Sequence, residues 1–310
     1  MRILITGGAG FIGSHVADAL IDAGHEVAVV DNFSTGKKEN IPKAVSEVFE
    51  GDVTDAPWLA EVVAKYQPDV VNHHAAQISV TVSERDPMTD AIHNVIGKLS
   101  VLEAVRALDK RVKLIYASSG GAMYGAAEPG VPFTEESPTR PLSPYGLSKN
   151  IAEQYAWLYN RMYGVPTIVL RYSNVYGPRQ NPHGEAGVCA IFSDRMSRGD
   201  ECRIFGDGNQ VRDYVFVKDV AAANVAALLY EGDDYFNICT GNPVTTKEVF
   251  DTFARHFKYT LPVVLAPERK GDLPYSLLDG SKAANALGWK SSVDFNEGSR
   301  QTAQWYTNDN

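Results

Sequence analysis

Short runs of Val, Ile and Leu alternate with stretches of helical periodicity through the first half of the chain. Arg2–Thr6 (RILIT), Glu26–Asp31 (EVAVVD), Val70–His73 and Val112–Ala117 (VKLIYA) are largely apolar and bounded by turn residues. Runs of this kind suit strands covered on both faces. Between them, apolar positions at helical spacing predict helices over Phe11–Ala23, Pro57–Tyr66 and Pro87–Leu108. Gly24 reads as the C-terminal cap of the first, and Pro57 behind Asp55 as the opening proline of the second. Such alternation predicts an α/β fold built on a doubly wound parallel sheet.

A long helix follows over Pro144–Tyr163 and a strand over Thr167–Arg171, and beyond Tyr172 the texture changes. Turn-rich pieces there separate short helices at Val188–Arg198, Lys218–Tyr230, Thr246–His256 and Ser281–Leu287. The expected division is a nucleotide-binding domain over 1–172 and a smaller α/β substrate lobe over 173–310, from which segments can return to the main sheet. A length of 310 residues agrees with two units at roughly 150 residues each.

Composition narrows the classes. A net charge of −9 leaves no cationic footprint for a nucleic acid polymer or an anionic membrane. Cys189, Cys202 and Cys239 are odd in number, widely spaced and without a Cys-x-x-Cys pair, which argues against disulfides and structural zinc and for the cytoplasm. Met1–Thr6 reads as a strand rather than a signal peptide, and the apolar stretch Val220–Tyr230 is too short to span a bilayer.

The chemistry begins after the first strand. Gly7, Gly10 and Gly13 form Gly-x-x-Gly-x-x-Gly at a strand–helix junction, where glycines admit a pyrophosphate and the helix N-terminus supplies free N–H groups. Eighteen residues beyond Gly13, Asp31 ends the second strand, placed to bond adenosine ribose hydroxyls and to repel a 2′-phosphate. That favours NAD, with Lys37 and Lys38 leaving NADP open. Asp52, after the third strand, suits the adenine amino group or, equally, a turn or helix cap. Tyr145 and Lys149 stand at i, i+4 at the start of a helix and share a face. A neighbouring ammonium lowers the pKa of a phenol and makes it a usable base near neutral pH.

Together these residues resemble the extended short-chain dehydrogenase/reductase superfamily, with its Rossmann-type domain, along nearly the whole chain. The resemblance implies NAD contacts from the glycine loop (including Phe11 and Ile12), from Asp31 with Asn32, and from Asp52 with Val53. It extends them to Ala75 and Gln77 in His74-Ala75-Ala76-Gln77, to Asn94 in Asn94-Val95-Ile96-Gly97, and to Tyr145 and Lys149. The second half is similar to nucleotide-sugar enzymes. Leu170–Gln180 resembles the segment whose asparagine, here Asn174, contacts a sugar diphosphate. Val211–Val215 resembles the lobe signature in which Arg212 pairs with that diphosphate. Arg269-Lys270-Gly271-Asp272 matches a motif whose Arg269 grips phosphate and whose Asp272 contacts the nucleotide ribose. The resemblance is to the shorter UDP-glucose (galactose) 4-epimerases. It implies C4 epimerisation of a UDP-sugar through a transient 4-keto intermediate, with Tyr145 as base, retained NAD and a homodimer.

The sequence also departs from that pattern. The position that carries a Ser or Thr proton relay in many relatives is Gly120, which leaves Ser119 or water for the part. Gly121-Ala122 lacks the carboxylates of related dehydratases and decarboxylases. Ser276, four residues after Asp272, replaces a bulky tyrosine and predicts room for a 2-acetamido sugar. Cys239 stands where relatives have glycine, and the adjacent His73-His74 lacks metal-ligand spacing, so no metal site is expected. The expected function is an NAD-dependent UDP-hexose 4-epimerase. A UDP-glucuronate 4-epimerase, a C2-epimerase, a 4-ketosugar reductase and a non-catalytic NAD-binding regulator stand beside it.

Overall fold

The computed structural model describes residues 1–183, 187–268 and 273–308. Its first six strands are β1 (Arg2–Thr6), β2 (Glu26–Asp31), β3 (Glu47–Glu50), β4 (Val70–His73), β5 (Lys113–Ser119) and β6 (Thr167–Tyr172). Then come β7 (Asn174–Tyr176), β8 (Arg203–Phe205), β9 (Val211–Phe216), β10 (Asp234–Ile238), β11 (Pro243–Thr245) and β12 (Val264–Ala266). The main sheet runs β10-β6-β5-β4-β1-β2-β3 and every pairing in it is parallel. The strand order reverses between β1 and β4, and the crevice at such a switch point lies above the strand C-termini.

Helices cover both faces. They are α1 (Phe11–Asp22), α2 (Ala56–Tyr66), α3 (Val80–Arg85), α4 (Pro87–Ala91), α5 (Gly97–Arg106), α6 (Gly120–Met123) and α7 (Pro144–Tyr163). Then follow α8 (Val188–Arg198), α9 (Val217–Leu229), α10 (Thr246–Phe257), α11 (Ser281–Leu287) and α12 (Phe295–Asn308). One core joins Ile3, Ile5, Val16 and Leu20 to Val220, Ala223 and Phe236; the other joins Leu4, Val30 and Leu114 to Leu59, Val63, Val101 and Val105. Asp55 caps α2 by accepting the Trp58 N–H, as the Asp55–Pro57 reading requires, and Gly24 takes a positive φ after α1.

Two expectations change. The helix expected over Pro87–Leu108 is interrupted by a π-helical turn at Ile92–Ile96, whose periodicity differs little from α in sequence. The C-terminal helix α12 is additional. Segments beyond residue 172 return to the main body: α9 packs on α1, and β10 extends the main sheet beside β6. A parallel neighbour needs a crossover, and α9 supplies it. The lobe keeps the small sheets β11-β9-β7 and β12-β8 around a core of Phe192, Phe216, Phe250 and Phe253.

Candidate active site

The glycine loop folds as the pyrophosphate reading requires. Gly7 has φ +71°, and a Cβ there would lie 2.6 Å from the Ala75 nitrogen, while one on Gly13 would lie 2.2 Å from the Gly7 oxygen. Only glycine fits either place. Gly10, the N-cap of α1, provides no side-chain cap for the first-turn N–H groups of α1, and the first-turn residues Phe11 and Ile12 line the cleft. This uncapped N-terminus fits a dinucleotide pyrophosphate.

Asp31, buried at the end of β2, accepts the Ala9 N–H through Oδ2 and the Phe33 N–H through Oδ1, each at 2.9 Å. Each oxygen retains a lone-pair site for a ribose hydroxyl. The two lysines that kept NADP open are engaged elsewhere: Lys38 with Glu50 at 2.9 Å and Lys37 with Glu39 at 3.7 Å. Asp52 accepts the Thr54 N–H and hydroxyl at 2.8 Å and the Asn32 amide at 2.7 Å. Burial works against its charge, yet these bonds outweigh it and hold its carboxyl below the ordinary value. The structure thus gives Asp52 a turn-forming part and places the Val53 side chain in the core.

At the far end of the crevice, Ala75 N–H reaches Thr6 Oγ1 at 3.3 Å. Asn94 grips the backbone of Gln77, accepting its N–H at 3.0 Å and donating to its carbonyl at 2.9 Å, and also donates to Asp90 Oδ1. The Gln77 amide donates to Asp90 as well. Both side chains therefore shape the loop after β4 and are committed to protein partners. His73 shares a hydrogen bond with Thr6 Oγ1 and His74 with the Tyr172 hydroxyl, so the two rings are engaged separately. Burial, with the charge of Lys149, pushes His74 down to about 3.

Ser143 caps α7 through the Gly146 N–H, and Pro144 opens it. Tyr145 is held in the first turn by its N–H to Ser83 Oγ at 3.1 Å, and its side chain lines the cleft. One turn on, Lys149 is buried, with Nζ 5.9 Å from the Tyr145 ring centre and donating to the Ala117 carbonyl at 3.1 Å. Burial pushes this ammonium down to about 8 against the opposing charges of Asp90 and Glu153. Ser118 and Ser119 line the cleft beside Tyr145, and Ser118 Oγ is buried without a hydrogen-bond partner. At Gly120 a Cβ would lie 2.5 Å from Leu278 Cδ1, so a side chain at that position is directed into packed leucine.

The lobe closes the other side. Asn174 donates to the Asp213 carbonyl at 3.2 Å, and Arg212 Nη1 donates to the Val211 carbonyl at 2.9 Å. Both line one cleft of about 640 Å³ together with Phe11, Ile12, Ser119 and Tyr145. Ser276 donates its N–H to the Val211 carbonyl beside Arg212, but it is buried and not part of the cleft lining. Arg269 and Asp272 lie outside the described residues. Two cleft arginines, Arg195 and Arg203, escaped the sequence reading, because neither sits in a motif. Asp213 escaped it too: buried, it accepts from Ser173, Thr240 and Gly241 and so ties β9 to the segment after β10. Cys239 packs with Tyr124 and Leu278, and burial pushes its thiol up, a structural environment. Among the described residues, no three His, Cys, Asp or Glu side chains are grouped to hold a metal ion, and no helix is long and apolar enough to cross a membrane.

Residues 3–239 match the sequence model of the NAD dependent epimerase/dehydratase family. The chain belongs to this family. A UDP-glucose 4-epimerase of Mycolicibacterium smegmatis is 41% identical over 313 residues and is covered, like this chain, over 99% of its length. Among solved structures, the Thermotoga maritima UDP-glucose 4-epimerase with UDP-glucose aligns at a TM-score of 0.96 and 44% identity, over 100% of this chain and 99% of that one. The Thermus thermophilus UDP-glucose 4-epimerase in complex with NAD aligns at 0.93 and 44% identity, over 99% of each. Family membership accounts for the doubly wound sheet and for the glycine loop built to take NAD.

Proposed function

We propose that this protein is an NAD-dependent UDP-hexose 4-epimerase. The observation that carries the reading is one cleft in which the uncapped N-terminus of α1, Tyr145 with the buried Lys149 as its neighbour, and the lobe residues Asn174 and Arg212 meet. Bound NAD supplies the acceptor and then the donor of the hydride at C4. The chain does the rest. Lys149 favours the Tyr145 phenolate, which takes the proton of the sugar 4-hydroxyl and later returns it. Ser119 hands that proton across. The glycine loop, Asp31 and Lys149 hold the cofactor in place, while Asp52, Asn32, Asn94 and Gln77 shape the loops around it. Asn174 and Arg212, with Arg269 and Asp272 from the sequence motif, anchor the nucleotide diphosphate so that the 4-keto sugar can present its other face.

The deciding experiment incubates the purified protein with UDP-, CDP-, GDP- and dTDP-sugars without added cofactor. C4 epimers of a UDP-hexose are the expected product, and Tyr145→Phe is expected to abolish them. A requirement for added NADH or NADPH points instead to a ketosugar reductase, and sugar binding without turnover to a regulator. The small residue at Ser276 extends the reading to N-acetylated UDP-sugars on the sequence pattern alone, since its side chain is buried outside the cleft lining. Ser276→Tyr is expected to depress UDP-N-acetylglucosamine turnover selectively, and unchanged ratios against UDP-glucose would remove that part.

The same reading includes a cytoplasmic homodimer. Three buried, unpaired cysteines suit a reducing compartment. Met88, Ile92 and Ile96 on the α4–α5 run and Trp157, Leu158 and Met162 on α7 are exposed apolar side chains, the composition of a helix-to-helix interface. Sedimentation at micromolar concentration tests it, with a monomer counting against it.

A further inference from the structure

One buried charge-bearing group has no place in the mechanism above. Asp90, Asn94 and Lys98 follow one another at four-residue spacing along the helical run that packs on α7, and all three side chains are buried. Asp90 and Asn94 bond to each other and to Gln77. Lys98 is 0% exposed and its Nζ has no hydrogen-bond partner. It sits 3.8 Å from the ring centre of Tyr116, and the Nζ of Lys149 sits 5.2 Å from the same ring. Two lysine side chains thus converge on one tyrosine of β5, and one of them, Lys149, is the neighbour of Tyr145. Burying an amine without a partner is costly, and an apolar residue of the same length would fill this space at less expense in stability.

We propose that Lys98 is a positioning residue for the catalytic base: packed with Lys149 on Tyr116, its amine brings a second positive charge behind the active site and extends to lower pH the range in which Tyr145 is a phenolate. The inference rests on the reading of Tyr145 as the base.

The titratable groups around Lys98 support this direction. Lys98 faces Tyr116 on β5, His73 at the end of β4, and Lys149 and Glu153 on α7, while Tyr145 on α7 and Asp90 on α4 act on the shared Tyr116. Glu153 is paired with Arg171 on β6, and Asp90 Oδ1 is shared by Gln77 and Asn94. The histidines are held neutral by burial. Burial first, and the charge of Lys149 second, push the Lys98 ammonium well below its ordinary value. Lys98 therefore takes its proton only as the pH falls below the ordinary lysine range, and the cation it then forms adds to that of Lys149. A cation at Lys98 and an anion at Tyr145 stabilise each other.

The test compares holoenzyme carrying Lys98→Met or Lys98→Gln with the unaltered protein. It reads kcat and KM against pH, and the near-ultraviolet tyrosinate absorbance of Tyr145, taken as the difference from Tyr145→Phe in each background. The acid limb of kcat and the tyrosinate midpoint are both expected to move up by about one pH unit, with KM little changed. Lys98→Met is expected to melt no lower than the unaltered protein, so lost activity cannot come from unfolding; Lys98→Gln provides the same charge removal with a polar head. Coincident profiles and midpoints in both variants overturn the proposal. Retained turnover in Tyr145→Phe overturns the base assignment instead, so the two failures are told apart.

Discussion

The ammonium of Lys149 donates to the Ala117 carbonyl at 3.1 Å and so joins the helix that carries Tyr145 to the end of the central strand β5. Its proton is held at a cost. Folding lowers this lysine from 10.5 to about 8, so between those values the unfolded chain binds the proton and the folded one does not. Stability from this group therefore rises with pH across that window, and its full penalty, about 3 kcal/mol, applies below pH 8. Lys149→Met should gain about 2 kcal/mol at neutral pH after loss of one hydrogen bond, with the gain shrinking in alkali. Turnover should fall about a hundredfold or more. Denaturant melts at neutral and alkaline pH, beside kcat, check both; a destabilised Lys149→Met contradicts the account. In the unaltered protein, kcat should decline above about pH 8 as Lys149 discharges.

Asp31, proposed to bond the ribose, also holds the glycine loop, since its two oxygens accept the Ala9 and Phe33 N–H groups. Charge-assisted bonds of this kind contribute about 1.5–3 kcal/mol each. Asp31→Ala should therefore weaken NAD binding to stripped protein by about a hundredfold. It should not create affinity for NADP, because Lys38 stays with Glu50 and Lys37 with Glu39. Calorimetry with both dinucleotides checks this; unchanged NAD affinity would remove Asp31 from the site.

Gly120 occupies the position of the relay hydroxyl in many relatives, yet a Cβ there points into Leu278 at 2.5 Å. Ser119, on the cleft wall with Tyr145, is the hydroxyl proposed for the relay. Ser119→Ala should lower kcat about a hundredfold with little change in KM. Adding Gly120→Ser should not restore it and should cost about 1–3 kcal/mol through overpacking. Adding Leu278→Ala should recover part of the stability and none of the turnover. Rescue by Gly120→Ser would transfer the relay to residue 120.

What the sequence reveals depends on whether a residue's role is local. Strands β1, β2, β4, β5 and β6 are buried on both faces, so their apolar runs announce them. Helices over Val188–Arg198 and Ser281–Leu287 lie where their spacing puts them. The edge strand Glu47–Glu50 half-buries Glu47 and Phe49 and exposes Val48 and Glu50, which leaves a weak signal. Helix α12 is polar along most of its length, and the π turn at Ile92–Ile96 is too small a change of period to see. The glycine loop and the Tyr145–Lys149 pair are short-range motifs and were legible. Arg195, Arg203, Asp213 and the burial of Lys98 arise from long-range packing, and no spacing encodes them.

Helix α7 is anchored by a buried ion pair one turn beyond Lys149. Arg171 meets Glu153 through Nε at 3.2 Å and Nη2 at 2.7 Å, and its Nη1 donates to the Tyr124 hydroxyl at 2.7 Å. Removing only Glu153 strands a buried guanidinium, so Glu153→Leu should cost about 3–5 kcal/mol. The double variant Glu153→Leu/Arg171→Met should recover most of that, because both charges leave together. Catalysis should not recover with it. Glu153 is one of the two carboxylates that raise Lys149 against burial, so its loss lets the ammonium discharge at lower pH. The alkaline limb of kcat should then move down in both variants, while stability returns only in the double. A double variant with both native stability and a native alkaline limb would show that Glu153 serves the packing of α7 and leaves Lys149 untouched.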